Sequence, residues 1–168
     1  VRGAPAIADV AVLSLAQSAV QRAQIEGPWA DDGEVFAGEV ARLARTRPTA
    51  VNLFQALERM QKATSHLGPR ASRLEAAKIL ESEALRICEE DLATCRTIGA
   101  EGLAWVRRRL PQSRLRVLTH CNTGSLATAG YGTALGIIRS LATAGMLDTV
   151  FVDELSLIHI SEPTRPER

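Results

Sequence analysis

The sequence predicts an α/β protein, in which a helical N-terminal domain precedes the first β-α-β unit of a truncated Rossmann-like parallel-sheet domain. Before residue 112, apolar residues recur with helical spacing, and aromatic residues make up only 4% of the chain. From Leu115 the pattern changes to two short apolar runs, "LRVL" and "TVFV", on either side of an alanine-rich segment. We therefore divide the chain into a helical domain, 1–112, and the beginning of a sheet domain, 113–154.

Prolines and glycines separate the first four predicted helices. Five helices are predicted before the first strand, at residues 5–24, 33–45, 50–65, 70–96 and 99–109. The first is apolar nearly all round, which is typical of a buried helix. Thr49 is predicted to cap the third. Beyond them, the pattern predicts strands at 115–120 and 149–154, with a helix at 124–144 between them. One such unit cannot bury both faces of a sheet, so the second domain is interpreted as incomplete.

Charge and cysteine content exclude several classes of protein. A formal net charge of +1 does not suggest binding to nucleic acid or to a membrane surface. No apolar run is interpreted as long enough to span a membrane. Three cysteines without metal-type spacing indicate a reducing compartment and no metal site. Cys88 and Cys95 would stand roughly 10 Å apart along a helix, too far for a disulfide, and are predicted to pack in the core.

The last residues, "LSLIHISEPTRPER", match neither helical nor strand periodicity. They resemble the translation of a transposase adapter used in DNA sequencing libraries. We interpret 155–168 as a sequencing scar and leave it out of the fold prediction; a genuine, divergent C-terminus is the alternative.

Two arginines precede predicted helix N-termini. Arg2 comes before the helix opened by Pro5, and Arg47 comes before the helix opened by Thr49. A cation is disfavoured there, because the free N–H groups already create positive potential. A bound anion between the side chain and the helix would remove this conflict. A lone loop arginine is more often structural, but the two arginines together with a third helix N-terminus, predicted directly after the first strand, favour a phosphate-bearing ligand.

A third helix N-terminus is predicted directly after the first strand. Asn122 or Thr123 can cap it, and Gly124 allows a ligand to approach the backbone closely. Ligands bind at this edge of a parallel sheet. Cys121 lies in the same turn, where a helix N-terminus would stabilise its thiolate for nucleophilic, acid/base or stabilising roles. The adjacent His120 is interpreted as a structural, hydrogen-bonding residue.

The glycines in "GYGTALG" superficially resemble a dinucleotide fingerprint. That fingerprint needs its glycines in the turn directly after a strand. Gly130, Gly132 and Gly136 come later, so we interpret them as close-packing positions on, or at the start of, the following helix.

Four motifs, taken together, resemble a known family. "VRGAPAIA", "RTRPTAVNLFQAL", "TIGAEG" and "LTHCNTGSLATAGYGTALGIIRSL" closely resemble methylthioribose-1-phosphate isomerases of methionine salvage, over residues 1–154. The wider family includes ribose-1,5-bisphosphate isomerase and regulatory subunits of a translation-initiation guanine-nucleotide exchange factor. The resemblance therefore implies a phosphosugar isomerase, with either of these relatives as an alternative.

The resemblance also implies roles for particular residues. The substrate phosphate would be held by Arg2, Gly3, Ala4 and Arg47, and Cys121 would stabilise the transition state or handle protons. The reaction is an aldose–ketose isomerisation, an intramolecular oxidoreduction of a small phosphosugar. No metal or organic cofactor is expected. Family members are homodimers in the cytoplasm, with nuclear forms in eukaryotes.

The chain departs from the family pattern at both ends. A segment that precedes residue 1 in the family is missing. So are an "NQGARLT"-like stretch and a later aspartate that donates a proton. Asp153 and Glu154 are not substitutes for that acid, and we expect this chain by itself to have little or no activity.

Overall fold

A computed structural model describes residues 3–111 and 114–153 of the 168-residue chain. The predictions for Arg2 and for 155–168 therefore lie outside the described residues. Helices and strands follow in the order α1 (Ala4–Arg22), α2 (Gly33–Thr46), α3 (Val51–Thr64), α4 (Arg73–Arg109), β1 (Leu115–His120), α5 (Ala134–Thr143) and β2 (Leu147–Asp153). Short 3₁₀ turns lie at Trp29–Asp32 and Ser125–Ala127. This order confirms the predicted α/β fold.

The main core lies where α1 packs between α3 and α4. Its largest fully buried side chains come from these three helices: Val12, Leu15, Leu53, Met60 and Leu80. The many alanines of α1 allow its neighbours to approach closely, which agrees with its predicted burial. The burial is one-sided, however, because Val10 and Leu13 are more than 40% exposed.

Helix α1 also bears on the prediction that no apolar run could span a membrane. Its 19 residues and mean hydropathy of 1.2 do meet the length and composition of a membrane span. Half of the 18-residue stretch that meets this test is buried inside the protein, as in the core helix of a soluble domain. By length alone, then, the prediction is wrong, while the packing of α1 is that of a core helix.

Helix α4 corrects the prediction of two helices at 70–96 and 99–109. It is one continuous helix of 37 residues, and the Ser72 hydroxyl caps it by accepting the Glu75 N–H at 3.1 Å. Gly99, the first residue of the second predicted helix, is buried inside α4 where α5 crosses it. A Cβ added at Gly99 would lie 2.8 Å from both the Ser140 Oγ and the Tyr131 ring. The glycine is therefore a close-packing position inside a helix.

The start of α3 differs from the sequence prediction as well. The helix begins at Val51 with Ala50 at the N-cap, and no side chain accepts a hydrogen bond there. Thr49 therefore does not cap α3. The first turn of α3 contains no acidic residue either.

Strands β1 and β2 pair in parallel, as predicted for a β-α-β unit. The register places His120 opposite Asp153 at the carboxyl ends of the strands. Helix α5 connects the strands and packs against α4, which joins the sheet to the helical layer. The sheet is poorly covered: Leu118 is 72% exposed, and Phe151 is 44% exposed.

The predicted helix at 124–144 is only partly present. After the 3₁₀ turn the chain runs as a loop, and α5 begins only at Ala134. Gly130 and Gly132 lie in this loop with φ of +143° and +92°, so they are not helical. Gly136 does lie on α5, where an added Cβ would come 2.9 Å from the Tyr131 ring. The loop folds back on itself, with Thr133 N–H donating to Thr123 C=O at 2.9 Å.

Candidate functional site

Cys121 lies directly after β1, at the carboxyl end of the sheet. Its N–H donates to the Asp153 carbonyl at 3.0 Å, and its side chain is half-buried. It is the one described non-glycine residue with a positive φ, +67°. Such a backbone costs free energy and occurs preferentially at functional sites. The strained backbone therefore supports a functional role for Cys121.

The helix end predicted beside Cys121 is not there. The chain forms a three-residue 3₁₀ turn instead, with Gly124 at its N-cap and no side-chain hydrogen bond. Asn122 and Thr123 consequently cap no helix, and the N-terminus of α5 belongs to Thr133. As contacts to a ligand, Asn122, Thr123 and Gly124 remain predictions.

Thr123 carries a polar group without a partner. Its Oγ1 is buried but forms no hydrogen bond with any described residue. A buried hydroxyl normally has a partner, since leaving it unpaired costs free energy. The Thr123 hydroxyl is therefore available to a ligand or to chain outside the described residues. It lies two residues from Cys121 in the sequence.

The start of α1 lies against the same loop. Gly3 has φ of +103°, and an added Cβ would lie 2.6 Å from both the Cβ and the carbonyl oxygen of Ala127. No side chain among residues 3–111 and 114–153 caps α1, and its first turn has no acidic residue. Gly3 and Ala4 thus present uncapped N–H groups beside the loop that follows Cys121, as an anion site requires.

Arg47 lies at the C-terminal end of α2, with an exposed side chain. Its carbonyl accepts the Ala50 N–H at 3.0 Å, in the turn that leads into α3. Arg47 and Ile7, one turn into α1, line the same cavity. The first turns of α1 therefore have Arg47 on one side and the Cys121 loop on another.

The sequence patterns did not single out Asp9, a buried acidic residue on α1. Asp9 is only 6% exposed, and its Oδ2 has no hydrogen-bond partner among the described residues. Burial, reinforced by the negative charge of Asp91, raises the pKa of Asp9 to about 6. The pKa of the Cys88 thiol is raised to about 11, mainly by burial and next by the negative charge of Asp9. This thiol is therefore protonated at neutral pH. The available signal was a single carboxylate in an otherwise apolar helix.

Replacing Asp9 with asparagine should stabilise the protein at neutral pH. The folded-state pKa lies above the unfolded value near 4, so folding loses stability as pH rises between about 4 and 6. At pH 7.5, Asp9→Asn should raise the free energy of unfolding by about 2 kcal/mol. At pH 4 the two proteins should be nearly equal. Urea denaturation at both pH values measures the difference. Glu101→Gln, an exposed change on α4, is the control, and equal pH dependence for both variants would contradict the prediction.

The fold and the site together define an α/β protein whose helical layer presents a helix end, without a side-chain cap among the described residues, beside the loop at the carboxyl edge of a parallel sheet. Residues 1–156 match the Initiation factor 2 subunit family. The chain belongs to that family, which confirms the resemblance found in its motifs. The match ends near the start of 155–168, whose interpretation as a scar remains a prediction.

Curated relatives and solved structures agree with this assignment. Methylthioribose-1-phosphate isomerases from Geobacter metallireducens and Crocosphaera subtropica are each 46% identical over 159 residues, covering 92% of this chain and 42% and 43% of theirs. The crystal structure of 5-methylthioribose 1-phosphate isomerase from Pyrococcus horikoshii OT3 matches with a TM-score of 0.76 and 33% identity, over 89% of this chain and 40% of that one. Translation initiation factor eIF-2B subunit delta from A. fulgidus matches with a TM-score of 0.67 and 33% identity, over 90% and 41%. The chain thus spans about two fifths of the length of these relatives.

Proposed function

We propose that this chain is part of an aldose–ketose isomerase of methionine salvage, which converts 5-methylthioribose 1-phosphate to 5-methylthioribulose 1-phosphate. The observation that carries the proposal is the contact between the uncapped start of α1, at Gly3, and the loop that follows Cys121. Relatives named as this isomerase, at 46% identity, support the choice of substrate.

The helix end would bind the phosphate group of the substrate. N–H groups at the start of α1 provide positive potential without an acidic residue to compete for them. The Arg47 guanidinium, which shares a cavity with Ile7 of α1, would add a charged fork for two phosphate oxygens. Arg2, from the same motif, is proposed as a further phosphate ligand.

Cys121 would act on the sugar carbons. The phosphate occupies the anomeric oxygen, so the ring must open with acid assistance before a hydrogen moves from C2 to C1. The C2 hydroxyl then becomes the ketone, and substrate and product are isomers without net oxidation. A thiol at the end of β1 can stabilise charge or carry a proton in this step. The family resemblance assigns the proton-donating aspartate to a segment beyond residue 154, and we propose no metal or organic cofactor.

Assembly and location follow from the family resemblance and are proposals as well. We propose a homodimer in the cytoplasm, also nuclear if the source is eukaryotic, with a small phosphosugar as the ligand and neither nucleic acid nor membrane as a partner.

The first experiment is to sequence the source locus through the codon for Glu154 and to express the complete reading frame. Conversion of methylthioribose 1-phosphate would then be followed by phosphorus NMR, with ribose 1,5-bisphosphate as the competing substrate. Turnover of the methylthio sugar supports the proposal, and preference for the bisphosphate would move it to the related isomerase. If the frame itself ends in "LSLIHISEPTRPER" and the protein turns over neither sugar, the isomerase proposal fails.

The similarity to eIF-2B subunit delta favours one other candidate, a regulatory subunit that binds a sugar phosphate or nucleotide without converting it. That candidate predicts saturable binding by calorimetry, no turnover, and assembly with unlike subunits. A thiol beside the phosphate-binding motif favours the enzyme.

Arg47→Ala should raise the KM for methylthioribose 1-phosphate by about 10- to 100-fold, because a charged hydrogen bond to phosphate is lost. Arg47→Lys should recover only part of this, since an ammonium group lacks the planar fork. Steady-state kinetics of the complete protein measure both. Arg45→Ala, a neighbouring exposed arginine in the last turn of α2, is the matched control, and an equal rise in KM for both alanine variants would count against a specific phosphate contact.

A further inference from the structure

A carboxylate on α4 holds the loop that connects Cys121 to α5. The Oδ2 atom of Asp91 accepts the Ala129 N–H at 2.6 Å. The thiol of Cys95, one turn further along α4, makes a longer contact of 3.9 Å with Oδ1. A backbone N–H bonded to a charged oxygen is a stronger link than one between neutral groups. Asp91 therefore fastens the loop to the helical layer.

The loop is also stiffened from within next to this anchor. The buried Thr128 Oγ1 accepts the N–H groups of Gly130, at 3.2 Å, and Gly132, at 3.1 Å. At the far end, Thr133 N–H donates to Thr123 C=O at 2.9 Å. These bonds connect the segment that Asp91 holds to the segment that follows Cys121.

The anchor also sits close to the start of α1. Ala127, two residues before the anchored Ala129, is the residue that an added Cβ on Gly3 would meet. Asp9, on the same helix, responds to the negative charge of Asp91. Arg59, which could otherwise compete for Asp91, already binds Glu83 and Glu90 at 2.8 and 2.6 Å. The Asp91 carboxylate thus remains engaged with the loop.

We propose that Asp91 is a positioning residue, which keeps the Cys121 loop against the phosphate-binding start of α1. The inference rests on the proposed function in assigning the reactive thiol to Cys121 and the phosphate to α1. The anchoring itself is independent of the substrate. Loss of the Asp91 carboxylate should therefore loosen the loop even in a protein without turnover.

The test compares Asp91→Ala and Asp91→Asn with a control, Glu89→Ala, whose side chain is exposed on the same helix. Amide hydrogen exchange is measured at Ala129 and, as a reporter of global unfolding, at the buried Leu80. The rate of Cys121 alkylation by iodoacetamide is measured by peptide mass spectrometry. In Asp91→Ala we expect Ala129 exchange to rise at least about tenfold and alkylation severalfold. Asp91→Asn, which keeps an acceptor oxygen, should be intermediate.

The outcomes separate the proposal from a general loss of stability. Faster exchange at Ala129 with unchanged exchange at Leu80 supports a local anchor. Equal acceleration at both amides, or Ala129 exchange and Cys121 alkylation as slow as in Glu89→Ala, overturns it. In the complete protein, Asp91→Ala should lower kcat for methylthioribose 1-phosphate and change KM much less. The fold decrease in kcat should be about ten times the fold increase in KM. If the wild type turns over nothing while the exchange pattern holds, the proposed function fails and the anchor stands.

Discussion

Replacing Cys121 with alanine is expected to lower kcat for methylthioribose 1-phosphate in the complete protein by about 10²- to 10⁴-fold, the range for loss of one acid/base or stabilising group. The KM should change little, because the proposed phosphate contacts lie on α1 and at Arg47. The backbone at this residue has φ of +67°, which alanine tolerates about as well as cysteine does, since both carry a single Cβ. Folding should therefore be affected no more than by loss of one half-buried thiol.

Turnover by phosphorus NMR and substrate binding by calorimetry measure the two effects separately. Cys88→Ala is the matched control, since Cys88 is also a half-buried free thiol but lies in the middle of α4. It should retain kcat within a few fold. Normal turnover in Cys121→Ala would remove the thiol from the mechanism and leave the loop with a binding role.

Replacing Gly132 with alanine is expected to destabilise the protein by about 3 kcal/mol, for two reasons that add. The residue has φ of +92°, where an L side chain is strained. Its Cβ would also lie 2.7 Å from the Thr123 carbonyl oxygen and 2.9 Å from the Gly124 Cα, both backbone atoms. The loop would have to open beside Cys121, so turnover should fall together with stability.

Urea denaturation measures the cost of Gly132→Ala, and two other glycines separate backbone strain from steric overlap in that experiment. Gly145 has φ of +70° with no atom within 4 Å of an added Cβ, so Gly145→Ala should cost only about 1 kcal/mol. Gly38 lies inside α2 without a close neighbour, so Gly38→Ala should stabilise by about 0.5 kcal/mol. If Gly132→Ala cost no more than Gly145→Ala, the overlap with the Thr123 carbonyl would not matter.

The sequence predicted the elements well where their periodicity depends on burial alone. Helix α2 lies within a few residues of its predicted bounds, because apolar spacing records which face is covered. Both strands also lie close to their predicted bounds, which short apolar runs indicated although the sheet is poorly covered. The errors fall where tertiary packing overrides a local signal. Helix α4 was predicted as two helices, yet it is continuous and α5 packs closely against it at Gly99. Thr49 was predicted to form a cap that the structure does not use.

The features of the candidate site also divide into those that local sequence patterns predict and those that tertiary contacts decide. Cys121 could be identified from its place at the end of a strand. The positive φ of Cys121 could not be predicted, because the turn after β1 is fixed by hydrogen bonds to residues distant in sequence. The Cys121 N–H, for example, donates to the Asp153 carbonyl. The contact of Gly3 with Ala127 and the bond from Ala129 to Asp91 join residues far apart in sequence. No local pattern encodes such pairs.

The continuous course of α4 has a consequence for how the chain unfolds. At about 1.5 Å per residue, its 37 residues extend roughly 55 Å. Leu80, near its beginning, belongs to the core with α1 and α3, while Gly99 and Gly102, nearer its end, pack against α5 and Tyr131. Unfolding of either half of α4 would remove the support that the helix gives to the elements packed on its other half. The two predicted domains, which meet at residue 112, therefore share one helix as a common structural support, and their loss of structure should be cooperative.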